Sequence, residues 1–229
     1  MCGKFTAMYA WRDLHYYSDL LTSHGIGTGA ENEAETVLAT PMRTMPVVCL
    51  DASGQRITIP MRWGWIDVRA QDPRKKPGMM HARSETLDVK PLWKHAFANG
   101  RGVVWADSFN VGEEVAPNRV RQWNCRRADG RPLGIAVLWE RWEHPRHGAL
   151  HVFVPVTTES PPSVRSKDDR FPVLLDSEDG IALWLGESSA PVEDIKTLFR
   201  IYEGELIVRE EKNASPRRRT TAKAQRELF

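Results

Sequence analysis

Residues 133–156 have the sequence LGIAVLWERWEHPRHGALHVFVPV, which contains two apolar runs of strand length, Leu133–Trp139 and Leu150–Val156. Runs this short, rich in valine, isoleucine and aromatic residues, favour strands. Two more candidate strands, Gly102–Ala106 and Gln122–Arg126, precede them along the chain. A strand-rich sequence with helices at its periphery predicts a single α+β domain with a twisted, barrel-like, mainly antiparallel sheet.

Local signals predict the elements on either side of these runs. Val47–Leu50 and Ile57–Ile59 flank turn residues 51–55 and predict a hairpin. Ser177 is a helix N-cap candidate, with Glu178 and Asp179 in the first turn. The other expected segments are a turn at residues 128–130, strands at Trp63–Ile66, Pro172–Leu175 and Glu205–Val208, helices at Ala10–Leu21, Pro91–Ala98, Ser177–Leu185 and Val192–Tyr202, and a loop at His24–Glu35.

The composition is that of an ordinary globular protein, with 41% hydrophobic and 27% charged residues. The chain has no apolar run long enough to span a membrane and no signal-like N-terminus, so a cytoplasmic protein is expected. Its cysteines, Cys2, Cys49 and Cys125, show no CxxC spacing, which favours neither a disulfide framework nor a structural zinc site. Cys49 lies in an apolar run and is expected to be a buried strand residue.

The C-terminal segment differs in charge from the rest of the chain. From Arg209 onward it has seven basic and three acidic residues, a net of +4, which leaves −2 for residues 1–208 because the whole chain is +2. We therefore expect one domain over residues 1–208 and a basic, flexible tail over 209–229. The tail is interpreted either as a nucleic-acid-binding arm or as a solvated end.

Cys2 follows Met1, and methionine aminopeptidase removes Met1 when the second residue is small. Removal leaves Cys2 with an α-amine of reference pKa about 7.7–8.0 and a thiol of reference pKa about 8.5. Such an aminothiol condenses with an aldehyde to an imine, and the thiol then closes a thiazolidine ring. It also suits an N-terminal nucleophile whose own amine is the general base. A cysteine without any role is the alternative interpretation.

Five segments resemble motifs of the SOS-response-associated peptidase (SRAP) family, which shields abasic sites in single-stranded DNA. They occur in the family's order up to about residue 185, and no match to its closing VN…PV pattern follows. The segments are MCGKF at 1–5 (MCGRF in the family), WGWI at 63–66 (WGLIP), HARSET at 81–86 (NARxET), ADSFN at 106–110 (ADGFYEW) and DDRFPVLL at 168–175 (HxRMPVIL).

The resemblance implies a peptidase-type, crosslinking protein that captures the aldehyde of an abasic site on Cys2, with Met1 removed by an aminopeptidase or by self-processing. It implies single-stranded DNA as the partner, a monomer with no cofactor or metal, and association with the nucleoid when DNA is bound. By position, the DNA-binding candidates are Lys4, Trp63, Trp65, His81, Arg83 and Arg170. Lys4, Arg83 and Arg170 are the phosphate ligands among them, and Trp63 and Trp65 are candidates for stacking on or wedging against bases. Core packing is the alternative for the two tryptophans, and an ion pair, for example with Glu85, is the alternative for Arg83.

Three expected proton-handling or positioning groups have changed type. The family's glutamate position falls on Asn110, or on Val111 without a gap, its histidine position on Asp168 and its asparagine position on His81. In one interpretation the chemistry is redistributed: His81 shuttles protons, and Asp168, Glu113 or Glu114 supplies a carboxylate. In the other, the fold and DNA binding are retained and catalytic rate is lost. The catalytic candidates are therefore Cys2, Asn110, Asp168 and His81.

Two other function classes stay open. Class II glutamine amidotransferases also begin with Cys-Gly. They have an arginine in an HxRxxT-like segment, and residues 81–86 fit that pattern. They use an Asn-Gly pair as an oxyanion hole, which Asn99-Gly100 could form. Against this class, the chain has no His-Arg-Gly-Pro-Asp segment. A non-catalytic, phage-related nucleic-acid-binding homologue would keep the arginines and the tail without needing Cys2.

Overall fold

A computed structural model describes residues 4–9, 35–67, 70, 72, 77–117 and 119–211. The helix expected at Ala10–Leu21 and nearly all of the loop expected at His24–Glu35 lie outside the described residues. So do Met1, Cys2, Gly3 and the basic segment from residue 212 onward.

The described residues form strands for the most part, with short helices between them. The strands are β1 Lys4–Tyr9, β2 Glu35–Ala39, β3 Thr44–Leu50, β4 Arg56–Trp63, β5 Ala82–Arg83, β6 Arg101–Ala106, β7 Ser108–Ala116, β8 Arg119–Arg127, β9 Leu133–His144, β10 Gly148–Glu159, β11 Arg170–Pro172 and β12 Leu206–Glu210. The helices are α1 Pro91–Asn99, α2 Pro162–Arg165, α3 Glu178–Leu185 and α4 Val192–Lys196, with a 3-10 helix at Ser84–Thr86.

Five strands close into a barrel. In order around the ring they are β10, β4, β3, β6 and β9, and β9 pairs back with β10. Only the pairing of β10 with β4 is parallel within this ring. Towards its C-terminal end β10 also pairs with β5 and with β11, so these short strands lie at one end of the barrel.

The apolar run of β9 is buried on both of its faces. Ile135 and Val137 belong to one hydrophobic cluster, whereas Ala136 and Leu138 belong to another. Successive side chains of a strand point to opposite faces, so an uninterrupted apolar run can serve two cores at once. This arrangement explains why the sequence is continuously apolar here and does not alternate with polar residues.

The first cluster joins the barrel to a second sheet, whose strand order is β12, β8, β7, β1 and β2. Phe109 and Val111 of β7 and Cys125 of β8 pack with barrel residues such as Phe153. The second cluster holds α1, α3 and α4 against the outer surface of the barrel. There the buried indole N–H of Trp184 donates to the carbonyl of Gly102 at 2.8 Å.

Most of the expected elements are confirmed. The hairpin of β3 and β4 is present, and Asp51 Oδ1 accepts hydrogen bonds from the backbone N–H groups of Ser53 and Gln55 in its turn. Ser177 caps α3, because its hydroxyl oxygen accepts from the N–H of Gly180 at 3.2 Å. The four long strand candidates and the helix from Pro91 all form, with longer bounds than expected. The α+β class and the barrel-like sheet are confirmed.

Several expected boundaries are wrong. The strand expected at Trp63–Ile66 stops at Trp63, because Gly64 has a φ of 123° and turns the chain. The helix expected to reach Tyr202 ends at Lys196. Strand β12 continues past the domain boundary expected after Val208, since it pairs with β8 as far as Glu210.

Four strands, β1, β2, β5 and β7, were not predicted, and one was placed too late. β7 was not predicted because its sequence, SFNVGEEVA, is largely polar. The strand expected at Pro172–Leu175 forms instead at Arg170–Pro172, and Leu174 makes an isolated bridge to Ile135. Among the described residues, no helix has the length and apolar character that crossing a membrane requires.

Gly134→Ala tests how closely β9 packs against the segment after β11. A β-carbon at Gly134 would lie 2.8 Å from the carbonyl oxygen of Leu175 and 2.9 Å from Cζ3 of Trp105. The N–H of Leu175 donates to the Gly134 carbonyl, so the two backbones cannot separate without losing that bond. We expect the free energy of unfolding, measured by urea titration, to fall by about 1–3 kcal/mol.

Gly78→Ala is the control, since a β-carbon there meets nothing within 4 Å. Both substitutions restrict the unfolded chain alike, so the difference between the two variants reports on the native state. The control should change the free energy of unfolding by no more than about 0.5 kcal/mol. Equal unfolding free energies for the two variants would contradict the close packing at Gly134.

Candidate functional site

The start of β1 defines where the N-terminus meets the fold. Lys4 is paired with Asn110, Phe5 with Phe109 and Thr6 with Ser108, all antiparallel. Two peptide units separate Cys2 from Lys4, and an extended chain covers about 7 Å over that length. Covalent geometry therefore limits the reach of Cys2 to the surroundings of the Lys4–Asn110 pair.

Asn110 is fully buried and belongs to a chain of polar side chains, which we call the amide network. Its Oδ1 accepts from Nδ2 of Asn124 at 3.1 Å, and its own Nδ2 donates to Oε2 of Glu211 at 2.6 Å. Asn124 Nδ2 also donates to the hydroxyl oxygen of Ser108 at 2.7 Å. Buried amides need such partners, because an unsatisfied amide in the interior costs about 1–3 kcal/mol. The network carries hydrogen bonds from the centre of the second sheet to a carboxylate.

Glu211 was not among the sequence candidates, because it fell within the segment assigned to the tail. Its backbone N–H donates to the carbonyl of Gln122 at 2.8 Å, which holds it beside β8 just after β12 ends. No sequence motif marks it, and only the strand pairing reveals its position. Of the two candidates for the family's glutamate position, Asn110 contacts this carboxylate, while Val111 faces the hydrophobic core.

Glu113, a carboxylate candidate from the sequence, lies in a different set of contacts. Its Oε2 accepts from the indole N–H of Trp123 at 2.9 Å and lies 3.6 Å from the guanidinium of Arg121. Arg121 also pairs with Glu210 at 3.2 Å. Lys167 lies over the ring of Trp123, with 4.7 Å from Nζ to the ring centroid. Glu114, the other carboxylate candidate, is exposed on β7.

Asp168 lies in a segment that packs against β7. Phe171, three residues after Asp168, packs edge-on against Phe109, with ring centroids 5.8 Å apart. Asp168 itself is buried, and its Oδ1 accepts from the backbone N–H of Arg170 at 3.1 Å. The segment Asp168–Phe171 therefore lies beside β7.

The guanidinium of Arg170 is held by protein groups. It makes two hydrogen bonds to the carboxylate of Glu85, at 2.6 and 2.9 Å, and one to the carbonyl of Thr157 at 2.6 Å. Its side chain is 9% exposed. Burial alone would raise the pKa of Glu85, but the hydrogen bonds from Arg170 hold that pKa below its usual range. This geometry gives Arg170 a structural role, and its role as a phosphate ligand stays a prediction.

Arg83 has the opposite character. It lies on β5, paired with Thr157 of β10, and its side chain is exposed. Glu85, the ion-pair partner considered for Arg83, is paired with Arg170. The backbone carbonyl of Arg83 accepts from the hydroxyl of Thr86 at 3.3 Å, and the structure shows no ion pair between the Arg83 guanidinium and another described residue. Because Thr157 also pairs with Pro172, β5 and β11 both lie next to β10. The two strands therefore flank β10 on opposite sides, and the ion pair of Arg170 with Glu85 links their segments.

Trp63 and Trp65 are core residues, which corrects their assignment to base stacking. Trp63 is 0% exposed, stacks on Phe153 and donates its indole N–H to the carbonyl of Met80 at 2.8 Å. Trp65 is 4% exposed and packs edge-on against Trp93. A DNA base cannot reach either ring face in this structure. The half-buried ring of His81 lies edge-on to Trp63 at 5.9 Å.

The remaining candidates are accounted for by packing or capping. Cys49 and Cys125 are buried, as expected for Cys49, and burial raises the pKa of the Cys49 thiol to about 12. The N–H of Gly100 donates to the carbonyl of Ala96 and ends α1, so Asn99-Gly100 offers no free N–H from Gly100 for an oxyanion hole. Within the described ranges, no group of three or more His, Cys, Asp or Glu side chains is placed to hold a metal ion.

Comparison with known proteins gives one consistent family. The model of the family described as SOS response associated peptidase (SRAP) matches residues 1–213. The abasic site processing protein YoqW of Bacillus subtilis is 25% identical over 226 residues, covering 94% of this chain and 97% of that protein. The abasic site processing protein HMCES of Xenopus tropicalis is 28% identical over 178 residues, covering 66% of this chain and 51% of that protein.

A solved structure shows the same fold. The crystal structure of a protein from Bordetella bronchiseptica superposes with a TM-score of 0.71 at 22% identity, covering 93% of this chain and all of that one. The family match spans both sheets, the amide network and the segments that hold Arg83 and Arg170. The chain therefore belongs to the SOS response associated peptidase (SRAP) family.

Proposed function

We propose that this protein processes abasic sites in single-stranded DNA and forms a covalent thiazolidine with them through Cys2 after Met1 is removed. The relatives YoqW and HMCES, both abasic site processing proteins by name, support the proposal. The observation that carries it is the pairing of Lys4 with Asn110, which ties the N-terminal Cys-Gly segment to a buried polar network that ends in a carboxylate.

The reaction needs an amine, a thiol and proton transfers. The α-amine of Cys2 adds to the aldehyde carbon of the ring-opened sugar, and the oxygen takes up a proton to give a carbinolamine. Loss of that oxygen as water forms the imine. The thiol sulfur then bonds to the imine carbon, and the thiol proton moves to nitrogen to give the thiazolidine. Each step moves a proton, so a positioned acid–base group accelerates it by about 10²–10⁴-fold.

The exposed Arg83 is the arginine best suited to a DNA phosphate. It is exposed at the end of the barrel where β5 and β11 flank β10. An arginine without a protein partner can make bidentate bonds to phosphate oxygens at no cost in broken ion pairs. Lys4 and His81 remain proposed DNA contacts, and we propose that the protein acts as a monomer.

Cys2→Ala tests the nucleophile. Wild-type protein mixed with a single-stranded oligonucleotide that holds one abasic site should give an adduct that survives heat and SDS on a denaturing gel. Cys2→Ala should give none, because it lacks the thiol that closes the ring. Intact-mass measurement first establishes that Met1 is absent, since a retained Met1 would acylate the amine.

The same oligonucleotide without the lesion is the matched control and should give no adduct. An adduct that persists in Cys2→Ala and is trapped by borohydride would indicate a lysine imine and contradict the role of Cys2. DNA binding without any adduct in the wild type would support the non-catalytic alternative. Glutamine hydrolysis with release of ammonia would support the amidotransferase alternative.

Arg83→Gln and Arg170→Gln separate DNA binding from stability. Arg83→Gln should weaken binding of single-stranded DNA and reduce the slope of log affinity against log salt by about 0.7, the value for one phosphate contact. Its melting temperature should not change, because Arg83 is exposed and makes no described ion pair. Arg170→Gln should lower the free energy of unfolding by about 1–3 kcal/mol, because it leaves Glu85 and the Thr157 carbonyl without their donor.

Lys94→Gln is the control for loss of one positive charge, since Lys94 is exposed on α1. It should leave both the salt slope and the melting temperature unchanged. If Lys94→Gln weakens DNA binding as much as Arg83→Gln, the effect of Arg83 is one of overall charge and not of a specific phosphate contact.

A further inference from the structure

We propose that Glu211 is the carboxylate that transfers protons while Cys2 captures the aldehyde, an inference that rests on the proposed function. Among the described carboxylates, Glu211 is the one hydrogen-bonded to Asn110, the strand partner of Lys4. Glu211 lies outside β7 and outside the motif at residues 106–110, where the family's glutamate is expected.

The amide network holds this carboxylate in one orientation. Asn124 donates to both Ser108 and Asn110 Oδ1, which leaves Asn110 Nδ2 directed at Glu211. The Glu211 backbone is anchored separately by its N–H bond to Gln122. A side chain fixed at its backbone and at one oxygen is preorganised for proton transfer, because little reorientation is needed during the reaction. Asn110 is a positioning residue in this arrangement.

Glu211 also faces an open space. A cleft of about 190 Å³ lies at the ends of β7, β8 and β12, and Glu211 and Gln122 are among the residues that line it. Arg119 and Arg121 line the same cleft and are exposed. The carboxylate therefore lies between a fully buried amide and an open cleft lined by two arginines. Arg121 is paired with Glu113 and Glu210, so Arg119 is the arginine here that suits a phosphate of an anionic strand.

The neighbouring carboxylates are engaged in other contacts. Glu113 accepts from Trp123 and lies near Arg121, and Glu210 pairs with Arg121. Glu210 and Glu211 are adjacent, and successive side chains of an extended segment point to opposite sides. Their contacts agree with this, because Glu210 contacts Arg121 while Glu211 contacts Asn110. The pair therefore offers a matched test of position.

Glu211 can carry each proton transfer of the reaction, and no further reactant is needed. As a carboxylate it accepts a proton from the amine nitrogen when the C–N bond forms. As a carboxylic acid it returns that proton to the aldehyde oxygen, which gives the carbinolamine. It accepts the second proton of the nitrogen as the C=N bond forms and delivers it to the carbinolamine hydroxyl, which leaves as water. It then accepts the thiol proton as the C–S bond forms and delivers it to nitrogen. Glu211 ends as it began, and one aldehyde and one aminothiol have become a thiazolidine and water.

The test compares Glu211→Gln with Glu210→Gln in full-length protein whose Met1 removal is confirmed by mass. Single-turnover rates are measured with abasic single-stranded DNA and with free 2-deoxyribose as a soluble aldehyde. Glu211→Gln should slow both reactions by about 10²–10⁴-fold. Its affinity for undamaged single-stranded DNA and its melting temperature should stay at wild-type values. Glu210→Gln should react at the wild-type rate.

The outcomes separate this inference from the proposed function. If the wild type crosslinks to DNA and Glu211→Gln does so at the same rate, the role of Glu211 is overturned and the proposed function stands. If Glu113→Gln slows the reaction and Glu211→Gln does not, the role of Glu211 is also overturned, and Glu113 is the carboxylate that transfers protons. A wild type that reacts with 2-deoxyribose but not with DNA overturns the proposed function, and slowing of that reaction in Glu211→Gln still supports Glu211. If Glu211→Gln unfolds, Glu211→Asp, which keeps a carboxylate, must retain measurable rate for the proposal to stand.

Discussion

The antiparallel pairing of Lys4–Thr6 with Ser108–Asn110 is the contact on which the proposed chemistry depends. A nucleophile at a chain terminus has no preceding residues to hold it in place, so its position is set by the strand that follows. Here that strand is an inner strand of the second sheet, between β2 and β7. The sheet packs on the barrel through Phe109, Val111 and Cys125. The reach of Cys2 is thus defined by the hydrophobic core itself.

The amide network is the polar counterpart of that core. Burying Asn110 completely would be costly without partners, and Asn124 and Glu211 provide them. The consequence is that an amide has replaced the family's expected acid on β7, while a carboxylate from the end of β12 meets the same point. Of the two interpretations left open by the sequence, this geometry favours redistribution of the chemistry. The residue that supplies the carboxylate is Glu211, whereas the sequence suggested Asp168, Glu113 or Glu114.

The exposed and the buried arginine at the barrel end illustrate a second physical distinction. Arg83 and Arg170 both occupy motif positions that the family resemblance assigns to phosphate binding. The guanidinium of Arg170, however, already donates hydrogen bonds to Glu85 and to the carbonyl of Thr157. A phosphate could bind there only by displacing those partners. The same end of the barrel therefore has one arginine that stabilises the fold and one that is available to DNA.

The apolar runs predicted the fold well for a clear reason. Leu133–Trp139 is buried on both faces, so its character as a strand is visible without knowledge of its partners. Ser177 was equally readable, since capping is a local interaction. β7 was missed because Ser108 and Asn110 are polar yet buried, and only the neighbouring strands reveal why. Trp63 and Trp65 were assigned to DNA because a motif does not report burial.

Glu211 could not have been found from the sequence for a related reason. Counting charges placed it in a basic tail, whereas the pairing of β12 with β8 carries the fold as far as Glu210 and Gln122 holds Glu211 itself. Residues distant in sequence, such as Asn110 and Glu211, become neighbours only through sheet topology. Such long-range pairings are not encoded in local periodicity or composition.

The most direct measurement is the site of attachment. The adduct between wild-type protein and abasic single-stranded DNA is digested with nuclease and trypsin, and the modified peptide is sequenced by tandem mass spectrometry. The account predicts that the sugar remnant lies on the N-terminal peptide Cys2–Lys4, with the mass of the aldehyde less one water and with both nitrogen and sulfur of Cys2 blocked. A remnant on a lysine side chain, on Cys49 or on Cys125 would contradict it.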